Sequence, residues 1–295
     1  MSHQSALFRK EDVKSPAILL FGAVYVFAVV LALLSDPSQA LVYVGLSLGI
    51  LLLVWLIIGL TERVQIEDIQ IRRPGLELVF GCLVYLISKF VRFPQFEFGR
   101  AWSVSSILRN QLFFFILPFV FLRLRKNSLL SMGLSLCNWK QNLKVAAIIL
   151  TCMAIPSTFF ISDTARLLLG RQLGLAQAVP GFFVLFIRDV ALAGLPEEFF
   201  FRAFVQTRLS KVLQSRLSGL LLTAFLFGLI HVDNIMRWYP DTTLPEAFCR
   251  AFFIQGFTGL VFGVLWERTR NLIPGIMVHS GINALNNLGS ITSFL

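Results

Sequence analysis

The sequence predicts an all-α fold, a polytopic transmembrane helical bundle of about eight to nine spans, organised as a single membrane domain over residues 1–295. Three observations carry that expectation. Hydrophobic residues make up 56% of the chain and charged residues only 14%, and the mean hydropathy is +0.76, far from the composition of a water-soluble domain. The apolar residues gather into windows of about 18 to 20, each long enough as helix to cross a hydrocarbon core of about 30 Å. No in–out alternation of the barrel type accompanies them, and helix satisfies every backbone polar group within its own segment.

In order, the expected spans are Pro16 to Leu34, Ala40 to Leu60, Leu76 to Val91, Ile107 to Leu122, Leu143 to Ile161, Phe182 to about Arg208, Leu217 to Val232, Phe248 to Trp266 and Leu272 to about Ser290. A net charge of +10 on a soluble chain would suggest nucleic acid. Here the basic residues stand at span ends instead, so no nucleic-acid partner is expected. Arg9, Lys10 and Lys14 precede the first span, and Arg63, Arg72 and Arg73 follow the second. Arg123, Arg125, Lys126, Lys140 and Lys144 follow the fourth, Arg208, Lys211 and Arg216 the sixth, and Arg268 with Arg270 the eighth. Ser35 to Gln39 carries no Lys or Arg. By the positive-inside rule the N-terminus is cytoplasmic, and nine spans put the C-terminus outside. The first span has no small-residue cleavage site and is kept as an anchor. Cys82, Cys137, Cys152 and Cys249 show no metal-type spacing and read as small packing groups.

Against this background, Leu195-Pro196-Glu197-Glu198-Phe199-Phe200-Phe201-Arg202 places two carboxylates and a guanidinium inside an apolar span. Each charge near a bilayer centre costs roughly 2.5 to 3.5 kcal/mol before pairing, so such a cluster is functional by default. Glu198 and Arg202 are four apart and share a helix face, which lowers that cost, while Glu197 points about 100° away and is left for other work. Phe227 and His231 share a face in the next span, and His279 and Asn283 in the last. Counted from the span ends at about 1.5 Å per residue, Glu198 lies about 15 Å from Arg208, His231 about 21 Å from Leu217 and His279 about 14 Å from Arg270. Three helices thus carry their strongly polar groups to a similar depth, as one buried site requires. The third histidine, His3, is in the polar N-terminus. Phe199, Phe200, Phe201 and Phe204 read as packing and lipid-facing groups, and Arg188 with Asp189 either pair or line an aqueous cavity.

A carboxylate with an imidazole can deprotonate water, and a second imidazole with a carboxamide can donate to the oxyanion formed at an attacked carbonyl. That combination describes a hydrolase without a covalent nucleophile. No GxSxG, Ser-Lys pair or HExxH motif is present. Two His and a Glu from separate helices also match the open three-ligand set of catalytic zinc, so zinc stays open as an alternative to a cofactor-free site. A transporter with a midplane polar site is the competing class.

Glu197-Glu198-x-x-x-Arg202, Phe227-x-x-x-His231 and His279-x-x-x-Asn283, in that order on late helices, resemble the three motifs of the CPBP intramembrane protease family. This family includes the type II CAAX prenyl endopeptidases and bacteriocin-processing relatives. The resemblance covers residues 182–290. It implies an intramembrane endopeptidase of glutamic type, in which Glu197 with His231 activates water, His279 and Asn283 form the oxyanion site, and Glu198 with Arg202 supports the arrangement. It implies no cofactor, and as partners membrane lipid and a peptide or lipid-anchored protein substrate. Prenylated CAAX ends, pheromone or bacteriocin precursors and C-terminally anchored substrates all fit, as does a non-proteolytic regulator or immunity protein. The expected location is the cell membrane, a bacterial inner membrane. Two features set this chain apart: Ala203 stands where relatives often have Gly, and Pro196 directly before the Glu pair predicts a kink or helix restart.

Overall fold

The computed structural model describes residues 15–62, 64, 71–94, 97–98, 102–162, 164–170 and 172–293. His3, Arg9, Lys10, Lys14 and Arg63 lie outside the described residues. Among those described, seven helices are long and apolar enough to cross a membrane: Pro16–Ser35, Pro37–Leu60, Val104–Leu124, Trp139–Phe159, Leu175–Val212, Arg216–Trp238 and Leu244–Thr269. The protein is thus a multi-pass helical membrane protein. Two further expected spans are helices of reduced length. Pro74–Phe90 has 17 residues and Ile273–Asn286 has 14, or about 26 and 21 Å at 1.5 Å per residue, less than a full hydrocarbon core. One short antiparallel pair, Glu97–Phe98 with Trp102–Ser103, interrupts the helical pattern.

The chain divides into two compact units. The first takes Met1–Leu78 and Phe204–Arg270. Its two leading helices are separated by Asp36 alone, because that residue caps the second: its Oδ1 accepts from the backbone N–H of Ser38 at 2.9 Å and of Gln39 at 3.3 Å, and Pro37 opens the helix. Large apolar side chains such as Leu19, Leu34, Leu41 and Trp55 stay exposed on these helices, as lipid-facing positions do, whereas the small Ala28 and Ala32 are buried. An aromatic cluster fills the core. Tyr43 stacks on Phe253 with centroids 5.0 Å apart, and Phe21 lies 5.4 Å from Phe252. Gly228 lets two helices meet closely, since a Cβ there would stand 3.1 Å from the Ala251 carbonyl oxygen and the Gly256 backbone.

Two of the basic residues noted at span ends, Arg208 and Arg268, are buried with partners in this unit. Arg208 Nε donates to Glu77 Oε2 at 3.0 Å, and Arg268 donates to Thr61 Oγ1 at 3.0 Å and to the Ile58 carbonyl at 3.1 Å. Gln206 Nε2 reaches the Gly263 carbonyl and Glu267 Oε1 at 3.2 and 3.1 Å. These contacts meet the requirement that a buried guanidinium or carboxamide find acceptors.

The second unit takes Val79–Ala203 and Asn271–Leu295. Here the Ile273–Asn286 helix is held by directed bonds: Ser157 Oγ donates to Asn286 Oδ1 at 2.5 Å, and Thr164 Oγ1 to the Leu285 carbonyl at 2.7 Å. Leu173, Ala178, Leu185, Ala284 and Leu288 form its apolar core. Phe199 meets Phe115 edge-on at 5.0 Å, and Phe200 lies 5.1 Å from Phe114. Phe199, Phe200, Phe201 and Phe204 are all buried, so their expected lipid-facing part is corrected. Arg188 and Asp189 resolve as a pair, Nη2 to Oδ1 at 2.8 Å, both buried. All four cysteines are free thiols.

Candidate active site

The helix that carries the acidic pair runs from Leu175 to Val212 without a break, so Pro196 neither ends nor restarts it. The winding changes instead. Over Val190–Gly194 and Phe199–Gln206 it widens to i→i+5 bonding, and between them Leu195–Glu198 forms one α turn with Pro196 in its first turn. Such widened turns suit a proline because they relax the ladder where its N–H is missing.

Within that turn the two glutamates have different surroundings. Glu198 is fully buried, and its two oxygens are divided between two cations or potential cations. Arg202 Nε donates to Oε2 at 3.2 Å, which is the i, i+4 pair expected from the sequence. His279 Nδ1 lies 3.0 Å from Oε1. A carboxylate only accepts, so Nδ1 is the nitrogen that carries the proton and Nε2 faces the other way. There Nε2 stands 3.8 Å from Glu197 Oε2. The imidazole therefore sits between the two carboxylates, bonded to one and beyond hydrogen-bond distance of the other. Gly275 makes room for this, since a Cβ would stand 3.0 Å from Glu198 Oε2.

Glu197 is the more open of the pair, with a side chain 15% exposed, and its Oε2 makes no hydrogen bond among the described residues. Asn283 follows one turn after His279 and is partly buried. His231 belongs to the first unit, just past the Arg216–Leu229 helix, and is buried. Its Nδ1 lies 2.6 Å from the Phe227 carbonyl oxygen, and the two rings are 4.7 Å apart. A carbonyl cannot donate, so Nδ1 holds the proton, and in a neutral imidazole of that tautomer Nε2 is the nitrogen able to accept one. The i, i+4 spacing of Phe227 and His231 thus works through the backbone carbonyl as well as the ring.

Of the six residues singled out in the sequence, Glu197, Glu198, Arg202, His279 and Asn283 fall in one unit, and four of these form a contiguous polar cluster. The sequence did not reveal that His279 bonds Glu198, a contact between residues 81 apart in the chain. Among the described residues no group of three or more His, Cys, Asp or Glu has metal-holding spacing.

A buried cluster of paired carboxylates, guanidinium and oriented imidazole has the groups that can take a proton from water and meet charge developing at a carbonyl. The stretch that carries it has family relatives. Residues 179–285, about a third of the chain, match the model of the family described as type II CAAX prenyl endopeptidase Rce1-like, so this stretch is similar to the family that the motifs resemble. No curated protein and no solved structure matches the chain.

Proposed function

We propose that the chain is an intramembrane endopeptidase of glutamic type, hydrolysing a peptide bond of a membrane-associated or lipid-anchored substrate. The observation that carries this reading is the His279 imidazole held by Glu198 with its second nitrogen toward Glu197. With Arg202 and His279 on its oxygens, Glu198 is committed to holding the site together. Glu197 is left to take a proton from water. His231, oriented by the Phe227 carbonyl, joins it in that role on the strength of the family motif.

The water oxygen bonds to the carbonyl carbon as its proton passes to the base. Collapse of the resulting oxyanion then breaks the C–N bond, and the proton is returned to the leaving amine. His279, donating from Nε2 when protonated, and Asn283 Nδ2 are the proposed donors to the oxyanion. Asn283→Ala is expected to lower kcat by on the order of 10²–10³ with KM nearly unchanged, the pattern of a contact made in the transition state. Steady-state kinetics checks it, and a raised KM with intact kcat makes Asn283 a binding residue.

The reading is tested with purified protein and an internally quenched, farnesylated CAAX peptide, alongside an acylated peptide of the same sequence. Cleavage of either supports it, and the ratio separates prenyl recognition from general lipid anchoring. Failure on both, with no new peptide termini in cells that produce the protein, overturns it. Activity is expected to survive exhaustive chelation, because carboxylate and imidazole suffice to activate water; loss that Zn²⁺ alone restores assigns a zinc site instead.

The proposed orientation has the N-terminus in the cytoplasm of a bacterial inner membrane. A reporter inserted after Lys126 is expected to read cytoplasmic and one after Gln39 external. Reversed readouts invert the topology.

A further inference from the structure

We propose that Asn110 and Gln111 are positioning residues for the Glu197–Glu198 pair, holding in place the widened turn that decides where those carboxylates point. The inference rests on the reading above that the pair serves peptide hydrolysis. Proline has no N–H, so the carbonyls four and five residues before Pro196 receive no donor from position 196 in either an α or a widened winding. Those carbonyls belong to Leu192 and Ala191. In a water-poor interior a backbone carbonyl without a donor is costly, and something must meet it.

Two neighbouring carboxamides do so. Asn110 Nδ2 donates to the Leu192 carbonyl at 2.8 Å, and Gln111 Nε2 to the Ala191 carbonyl at 2.6 Å. Asn110 is 9% exposed. Its Oδ1 has no partner among the described residues, so capping is the bond its carboxamide makes. Asn110 closes one α segment and Gln111 opens a widened turn of its own, Gln111–Ile116. The change of winding therefore falls where both side chains leave the helix.

The consequence for the site follows from helix geometry. A widened turn holds one residue more than an α turn, so rewinding Val190–Gly194 as α would rotate every later side chain by about 100° about the axis. Glu197 would leave the side on which His279 Nε2 now stands, and Glu198 would lose Nδ1. By fixing the two carbonyls as they emerge from the widened turn, Asn110 and Gln111 fix that rotation. The sequence signal is the Arg109-Asn110-Gln111 run inside an otherwise apolar span.

The test is a double-mutant cycle on the full chain with Asn110→Leu and Pro196→Ala, using the farnesylated CAAX peptide for turnover and thermal unfolding for stability. In the unmodified background, Asn110→Leu is expected to lower kcat by about tenfold to a hundredfold with KM within about twofold, and to lower the unfolding midpoint. Pro196→Ala restores an N–H at position 196. In that background the same Asn110→Leu change is expected to alter kcat by less than about twofold and to shift the midpoint much less. Equal effects in both backgrounds make Asn110 an ordinary packing residue and overturn the proposal. If Pro196→Ala alone abolishes turnover, the midpoints decide, and additivity overturns it. Absence of cleavage of this peptide by the unmodified protein counts against the peptidase reading and not against the capping, which the thermal cycle still decides.

Discussion

Glu197→Gln is expected to reduce turnover by on the order of 10²–10⁴-fold, to the limit of detection in a peptide-cleavage assay, while leaving folding intact. Glutamine matches glutamate in shape but takes no proton from water. The substitution should cost little stability, because Glu197 is partly open and its Oε2 makes no hydrogen bond among the described residues that the amide would break. His231→Ala is expected to match it in turnover. It gives up one bond to the Phe227 carbonyl, of about 0.5–1.5 kcal/mol, so its unfolding midpoint should fall modestly. Turnover near the unmodified rate in either purified variant would remove that residue from the role of base.

Arg202→Met should act on the opposite quantity. Arg202 and Glu198 are each about 1% exposed at their side chains, and removing one partner of a buried pair leaves an uncompensated charge at a cost of about 3–5 kcal/mol. The expected result is a large drop in unfolding midpoint and in folded yield. Adding Glu198→Gln removes the stranded charge and should recover much of that stability. Activity should not return with it, because the amide no longer holds His279 Nδ1 as a carboxylate does. Recovery of both together would show that Glu198 neutralises Arg202 and orients nothing. Arg202→Lys is not a conservative alternative: the geometry uses the planar Nε–H, and an ammonium on a flexible stem does not reproduce it.

What the sequence disclosed and what it withheld divide along the range of the interactions. Membrane helices were legible because length and apolarity are local properties. The Glu198–Arg202 pair was legible because i, i+4 is a property of one helix. His279 and Asn283 also share a face, and that spacing was legible; that the imidazole bonds Glu198, with Glu197 3.8 Å from its other nitrogen, was not. That contact depends on how Ile273–Asn286 packs, with Ser157 and Thr164 holding one end, which no periodicity encodes. Pro196 announced a disturbance in the helix. Its form, a continuous helix with widened turns and side-chain caps, depended on Asn110 and Gln111 from a distant segment. The partners of Arg208 and Arg268 were not legible either. Charge at a span end reads the same whether it is solvated or, as here, buried against Glu77 or Thr61.

The sharing of Glu198 between Arg202 and His279 also bears on biosynthesis. The Arg202 bond lies within one turn, so it can form as soon as that helix is made. His279 is encoded roughly eighty residues later, a lag on the order of 4–16 s at about 5–20 residues per second. Throughout that interval the nascent chain holds its acidic pair in the membrane with one of the two partners missing, and a ribosome that stalls before Ile273 releases a product without the imidazole. The Glu198 pairing is therefore complete only once the Ile273–Asn286 helix has been made.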